Sequence, residues 1–209
     1  MHNTINNRNP VEIPGSLEQK GRILLSIARS VIAEALGRQG EPVDENLPWL
    51  HDKGASFVTL TMNHQLRGCI GTLEAVQPLL QDIKTNAYAA AFRDPRFPPL
   101  TAAELDAIHI EISLLSTLQP LSFKDEADAL AQLRPQIDGL VFKYGHYRST
   151  FLPQVWKQLT DPAAFMAQLK RKAGLSPDFW CDDVEIYRYT VTEFEEENLR
   201  QYGTERLAS

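Results

Sequence analysis

A chain of 209 residues makes one large domain or two small ones, because domains cluster at roughly 100–150 residues. Its hydrophobic share of 43% and charged share of 23% are those of a soluble globule, which excludes collagen-like, disordered and disulfide-stapled secreted classes. Twenty-one basic against twenty-seven acidic residues leave a formal charge of −6, a balance that opposes phosphate-backbone binding and disfavours nucleic-acid recognition.

In chain order, the polar segment Met1 to Gly15 reads as a frayed tail. Ser16-Leu17-Glu18-Gln19 then forms a capping box, in which Ser and Gln satisfy orphan amides at a helix start. Leu24, Ala28, Val31 and Ala35 recur behind it at helical spacing, and Gly37 or Gly40 supplies the stop. Gly40 to Lys53 has two prolines, Trp49 and no period, so it reads as a loop. Ser56 to Thr61 has strand character, and an Asn63-His64 turn returns the chain through Leu66 to Ile70 as a hairpin. Pro78 to Phe92 is predicted to be a helix with Leu79, Ile83, Ala87 and Ala90 on one face, ended by Pro95, Pro98 and Pro99. Thr101 to Glu104 opens a short helix, and Ile108, Ile110, Ile112 and Leu114 alternate as a half-buried strand.

Composition changes near Gln119-Pro120. Asp125 to Leu133 is helical and acidic, and Gly139 to Tyr144 and Tyr147 to Phe151 flank Gly145-His146 as a second hairpin. Pro153 opens a helix through Leu159, and Asp161-Pro162 caps and starts another that stops at Gly174. Val184 to Thr192 reads as one strand ahead of an acidic helix or tail. Strands and helices mixed without a regular βαβ alternation define an α+β class with antiparallel sheets.

The first ten residues hold four Asn and no apolar run, so no signal peptide is expected. No stretch reaches the roughly 20 apolar residues of a membrane span. The expected location is cytoplasmic, with Cys69 and Cys181 both reduced. No His/Cys cluster has zinc spacing, and no phosphate loop or dinucleotide fingerprint occurs, so no metal or cofactor is expected.

Chemistry concentrates in two places. In Leu66-Arg67-Gly68-Cys69-Ile70-Gly71, strand alternation puts Arg67 and Cys69 on one face and Leu66 and Ile70 toward the core. A guanidinium beside a thiol enriches the nucleophilic thiolate, while Gly68 and Gly71 leave room for a substrate backbone. In Arg93-Asp94-Pro95-Arg96-Phe97-Pro98-Pro99, rigid prolines hold Asp94 and Arg96 as a polar pair facing a cleft. The bland alternatives are a small buried cysteine with an ion-paired arginine, and a helix-ending loop stitched by an Arg–Asp pair. His64, five residues before Cys69, and His109, which shares a strand face with Glu111, are the candidate general bases.

These segments, in this order, resemble the AMMECR domain family, whose prokaryotic members are called AmmeMemoRadiSam system protein A. The similarity runs from the hexapeptide at 66–71 through Ala89 to Leu100, Glu111 to Leu115, Gly139-Leu140, Phe151 to Val155, and Phe165 to Leu175. It spans about residues 17 to 195. The resemblance implies two unequal subdomains, each an antiparallel sheet flanked by helices, with the hexapeptide pointing into the cleft between them. On that basis residues 16–118 plus 182–203 are expected to form the larger subdomain, 119–181 the smaller insertion and 1–15 the tail.

Two functions compete. In the first, Cys69 is a thiolate supported by Arg67, with Asp94 or Arg96 on the same cleft wall to position substrate. In the second, the cleft is a non-catalytic binding or adaptor module, with Memo-like and radical-SAM proteins as partners by family analogy. The sequence favours a cleft that takes a protein or peptide, with turnover left open.

Overall fold

The computed structural model describes residues 16–196. The expected tail over residues 1–15 and the acidic segment after Glu196 lie outside them. Helix α1, Leu17–Ala35, begins where Ser16 Oγ accepts the Gln19 N–H at 3.2 Å. It ends before Gly37, whose φ of +74° suits a residue without Cβ. The following loop contains a 3-10 turn, Pro48–Leu50, and the two-residue strand β1, Lys53–Gly54. Strands β2, Ser56–Met62, and β3, Gln65–Gly71, form the expected hairpin. Asn63 and His64 both have positive φ, as a type I′ turn requires.

Next come β4, Gln77–Pro78, which pairs with β1, then α2, Leu79–Phe92, and β5, Ile108–Leu115. The helix expected at Thr101 forms only successive turns. Glu104 does cap the Thr101 N–H at 2.8 Å, but no helix follows from it. The remaining elements are β6, Gln119–Pro120; α3, Glu126–Ala131; β7, Gly139–Tyr144; and β8, Tyr147–Phe151. A 3-10 segment, Pro153–Lys157, replaces the expected helix there. Helix α4, Pro162–Lys172, capped by Asp161, leads to β9, Glu185–Tyr189, and β10, Val191–Glu195.

The fold is α+β, with two four-stranded antiparallel sheets ordered β10-β5-β2-β3 and β6-β9-β7-β8. Helices α1 and α2 cover one face of the larger sheet around Leu24, Ile32, Leu60, Ile83 and Ile110. A separate core of Phe142, Trp156, Phe165, Leu169 and Ile186 lies under α3 and α4. Its centre is the Trp156–Phe165 stack, 3.8 Å between centroids, with the indole N–H satisfied by the Asp138 carbonyl at 2.7 Å. A third cluster, with Leu115, Val141 and Tyr189 at its heart and Phe57 and Leu152 against it, joins the sheets.

The single strand read over Val184 to Thr192 is in fact two. It breaks at Thr190, so β9 belongs to the smaller sheet and the return crossing falls after Tyr189, not near 182. Ile186 enters one core and Phe194 the other, a division that strand periodicity cannot show. Outgoing and returning connections are tied here, the Ser116 N–H donating to the Thr190 carbonyl and the Thr190 N–H to Ser116 Oγ, each at 2.9 Å. Among the described residues no helix is long and apolar enough to cross a membrane.

Candidate functional site

The hexapeptide occupies β3, an edge strand of the larger sheet. Opposite it, Leu60 pairs with Gly68, Thr59 with Cys69 and Val58 with Ile70. Leu60 and Val58 belong to the helix-covered core, so Cys69 and Thr59 project from the other face, toward the smaller unit. Gly68 is a packing position. A Cβ there would sit 2.1 Å from the Ala90 carbonyl oxygen, so its absence lets α2 lie directly on β3. A Cβ on Gly71 would meet the Phe57 ring at 2.3 Å. Both glycines give their space to the fold rather than to a substrate backbone.

The expected sharing of a face by Arg67 and Cys69 fails at a bulge. Register slips between Leu60 and Thr61, leaving Arg67 without a cross-strand partner. The same slip leaves Leu66, read as core-facing, 44% exposed. Arg67 turns onto the loop after α2. Its Nε and Nη2 donate to Glu104 at 2.9 and 3.2 Å, and its Nη1 to the Pro98 carbonyl at 2.9 Å. The Arg67 hydrogen bond holds the Glu104 carboxyl down at about 2. Arg67 is thus neutralised within the chain and is not the support for the thiol that alternation implied.

Asp94 and Arg96 engage the Cys69 peptide instead. The Cys69 N–H donates to Asp94 Oδ2 at 2.9 Å, and the Cys69 carbonyl accepts from Arg96 Nη2 at 3.1 Å. Asp94 and Arg96 are themselves joined in a fork, at 2.9 Å from Nε to Oδ1 and 2.6 Å from Nη2 to Oδ2. The pair offers β3 one acceptor and one donor, as a neighbouring strand would, and so closes the edge at Cys69. The Asp94 side chain is only 1% exposed, and the Arg96 hydrogen bond holds its carboxyl well below the usual range. Arg96 is in turn stabilised as a cation, chiefly by its hydrogen bond to Asp94.

On the open face, Thr59 Oγ1 donates to Cys69 Sγ at 3.3 Å. The register continues from Thr59 to Glu111 and on to Glu195. Gln154, from the 3-10 segment of the smaller unit, reaches across to Glu111 at 3.2 Å and Glu193 at 2.6 Å. Burial first, then the charges of Glu193 and Glu195, push the Glu111 carboxyl up. His64 and His109 come together with Thr61, Glu111 and Glu195 around a shallow cavity of about 220 Å3. Cys69 and Cys181 are both free thiols.

Sequence reasoning missed Thr59, which only the strand register reveals, and it missed Asp82. That fully buried carboxylate accepts from Ser56 Oγ at 2.7 Å, Asn86 Nδ2 at 3.0 Å, Gln77 Nε2 at 3.3 Å and the Thr72 hydroxyl. All its donors are neutral, and Thr72 follows directly on β3, so the network pins the strand's exit. In sequence Asp82 reads only as an acid in a helix's first turn, which the dipole alone explains.

Fold and site together define a two-sheet α+β protein in which an edge strand of the larger sheet is clamped at Cys69. The chain belongs to the AMMECR1 family, whose model matches residues 25–194. Protein MJ0810 of Methanocaldococcus jannaschii is 35% identical over 182 residues, covering 85% of this chain and 90% of the relative. A protein of Thermococcus gammatolerans is 38% identical over 194 residues, covering 88% and 93%. The crystal structure of the uncharacterized protein PH0010 from Pyrococcus horikoshii matches with a TM-score of 0.75 at 34% identity, covering 85% of this chain and 91% of that one. The family's function is uncharacterised, so the chemistry is argued from the site.

Proposed function

We propose that the open face of the larger sheet, overhung by the smaller unit, is a cleft that binds a protein or peptide segment, with the Cys69 thiol as its reacting group. One observation carries this reading. The Cys69 peptide is held at both its N–H and its C=O by Asp94 and Arg96, while its side chain stays half-buried beside a hydroxyl donor. A fixed backbone fixes the direction of the sulfur. Thr59 lies in register between Cys69 and Glu111, a carboxyl with raised proton affinity. Gln154 and the carboxylates around it supply acceptors for the N–H groups of a bound segment.

A second reading, a non-catalytic adaptor working with Memo-like and radical-SAM proteins, draws on a different observation. Arg67, Gly68 and Gly71 are all consumed by internal packing, so the hexapeptide builds the cleft wall more than it lines it. Alkylation separates the two. In a Cys181→Ser background, iodoacetamide labels native Cys69 readily at neutral pH if the thiol reacts, and Arg96→Ala or Thr59→Val slows labelling several-fold. A native Cys69 that resists labelling at neutral pH removes the catalytic reading and leaves the adaptor. Affinity capture comparing wild type with Cys69→Ser then identifies what occupies the cleft.

A further inference from the structure

The smaller unit carries an open groove of about 770 Å3 between the β7–β8 turn and the residues leading into β9. That size lies within the roughly 300–1,000 Å3 typical of ligand sites. One wall is aromatic. The Tyr144 and Tyr147 rings are 7° from parallel with centroids 6.2 Å apart, and His146 lies 4.1 Å from Tyr147. Phe179 packs on Tyr144 at 4.7 Å and braces the shelf.

The facing wall is acidic. Asp182, Asp183 and Glu185 are all exposed, and residues 173–187 include no Lys or Arg. Glu185 accepts the Tyr187 hydroxyl at 2.6 Å. The nearest bases on the hairpin, Lys143 and Arg148, turn instead to Glu74 of the larger unit, at 3.5 and 2.7 Å. Among the described residues Asp182 and Asp183 have no ion-pair partner, and their carboxylates accept no side-chain hydrogen bond. Among the described residues Asp182 and Asp183 therefore keep their negative charge without a cationic partner, in a groove whose lining they share with Tyr144 and Tyr147.

We propose that this groove binds an arginine-bearing segment of a partner protein. The guanidinium stacks on the Tyr144–Tyr147 shelf while Asp182 and Asp183 accept its N–H groups. Ring faces attract cations through their quadrupole. A guanidinium is planar and weakly hydrated, so it stacks and chelates carboxylates at once, which an ammonium cannot do. An anion meets two unpaired carboxylates here, and an apolar ligand would strip them of water without replacing it. The chain's formal charge of −6 adds long-range attraction for a basic partner. The groove also exceeds what one guanidinium head fills, which favours a stretch of polypeptide over a small free cation.

The test is calorimetric titration of the full chain with a blocked peptide of alternating glycine and arginine. Binding is expected to weaken with added salt and to vanish for the citrulline version, which keeps shape but not charge. The double variant D182N/D183N should weaken it roughly fivefold or more. Tyr147→Leu, which keeps apolar bulk but not the ring, should weaken it roughly threefold or more. Absence of binding to wild type, equal binding of the citrulline peptide, or unchanged affinity in D182N/D183N overturns the proposal. Spermidine binding as tightly as the peptide overturns the assignment of a polypeptide. Cys69→Ser leaves this binding unchanged, so its outcome is independent of the thiol chemistry.

Discussion

Beside β3 the ionic groups are committed within the chain: Arg67 holds Glu104, and Arg96 holds Asp94 while also reaching the Cys69 carbonyl. In the groove of the smaller unit, by contrast, Asp182 and Asp183 are exposed and have no ion-pair partner among the described residues. A buried pair fixes geometry, and removing either member leaves the other stranded. An exposed, unpaired charge contributes little to stability and is available to a partner. The motif that looks most functional in the sequence is therefore largely architecture around one cysteine. A run that looks like ordinary surface carries the unspent charge.

The largest expected effect tests the first half of that contrast. Asp94→Ala leaves the part-buried Cys69 N–H without its acceptor and frees the half-exposed Arg96 guanidinium, and should cost about 3 kcal/mol in urea unfolding. The D182N/D183N variant should stay within about 0.5 kcal/mol of wild type in the same measurement. Equal losses in the two variants would erase the distinction. Gly68→Ala comes next. Its Cβ meets a main-chain oxygen at 2.1 Å, which no rotamer can relieve, so a loss of about 2–3 kcal/mol is expected. A near-neutral Gly68→Ala would show that α2 is not seated on β3 as described.

The acid limb of stability is smaller and has a defined sign. Arg67 lowers Glu104 from the ordinary 4.5 to about 2 in the folded chain, so the folded state binds fewer protons than the unfolded one in that interval. The contribution is present above pH 4.5 and is lost as pH falls toward 2. Asp94, also depressed, works in the same direction. Glu104→Gln should flatten the fall of unfolding free energy across this window, and an unchanged slope would discount the Arg67 pair.

The smallest effect has the opposite sign. Glu111 is raised by burial and by Glu193 and Glu195, so its ionisation at neutral pH opposes folding. Glu111→Gln should stabilise the fold slightly at pH 7, with the gain vanishing below the ordinary glutamate value of 4.5. A loss of stability at pH 7 would mean that the Gln154 contact outweighs the repulsion.

Much of the local structure was written in short-range chemistry. The Ser16 and Asp161 caps, the Asn63-His64 turn and the Gly37 and Gly174 stops all depend on residues within a turn of one another. The α+β class was legible in the same way, and the family was legible from the motifs at 66–71 and 93–99. The site was legible only in part. Cys69, Asp94 and Arg96 do converge, but alternation assigned the thiol's cation to Arg67, because a one-residue bulge leaves no mark in a pattern of period two.

Composition, capping and periodicity thus determined by themselves most of the helices and strands and singled out Cys69, Asp94 and Arg96. Tertiary structure alone decided the pairings. Cys69 meets Asp94 across 25 positions and Arg67 meets Glu104 across 37. It also decided the division of residues 185–195 between two sheets and the burial of Asp82 among neutral donors. The physical reason is range. A cap or a turn is satisfied within a few residues, whereas an edge-strand clamp or an ion pair depends on which strand lies outermost and where its register slips. Those properties belong to the assembled sheet, not to any stretch of the chain.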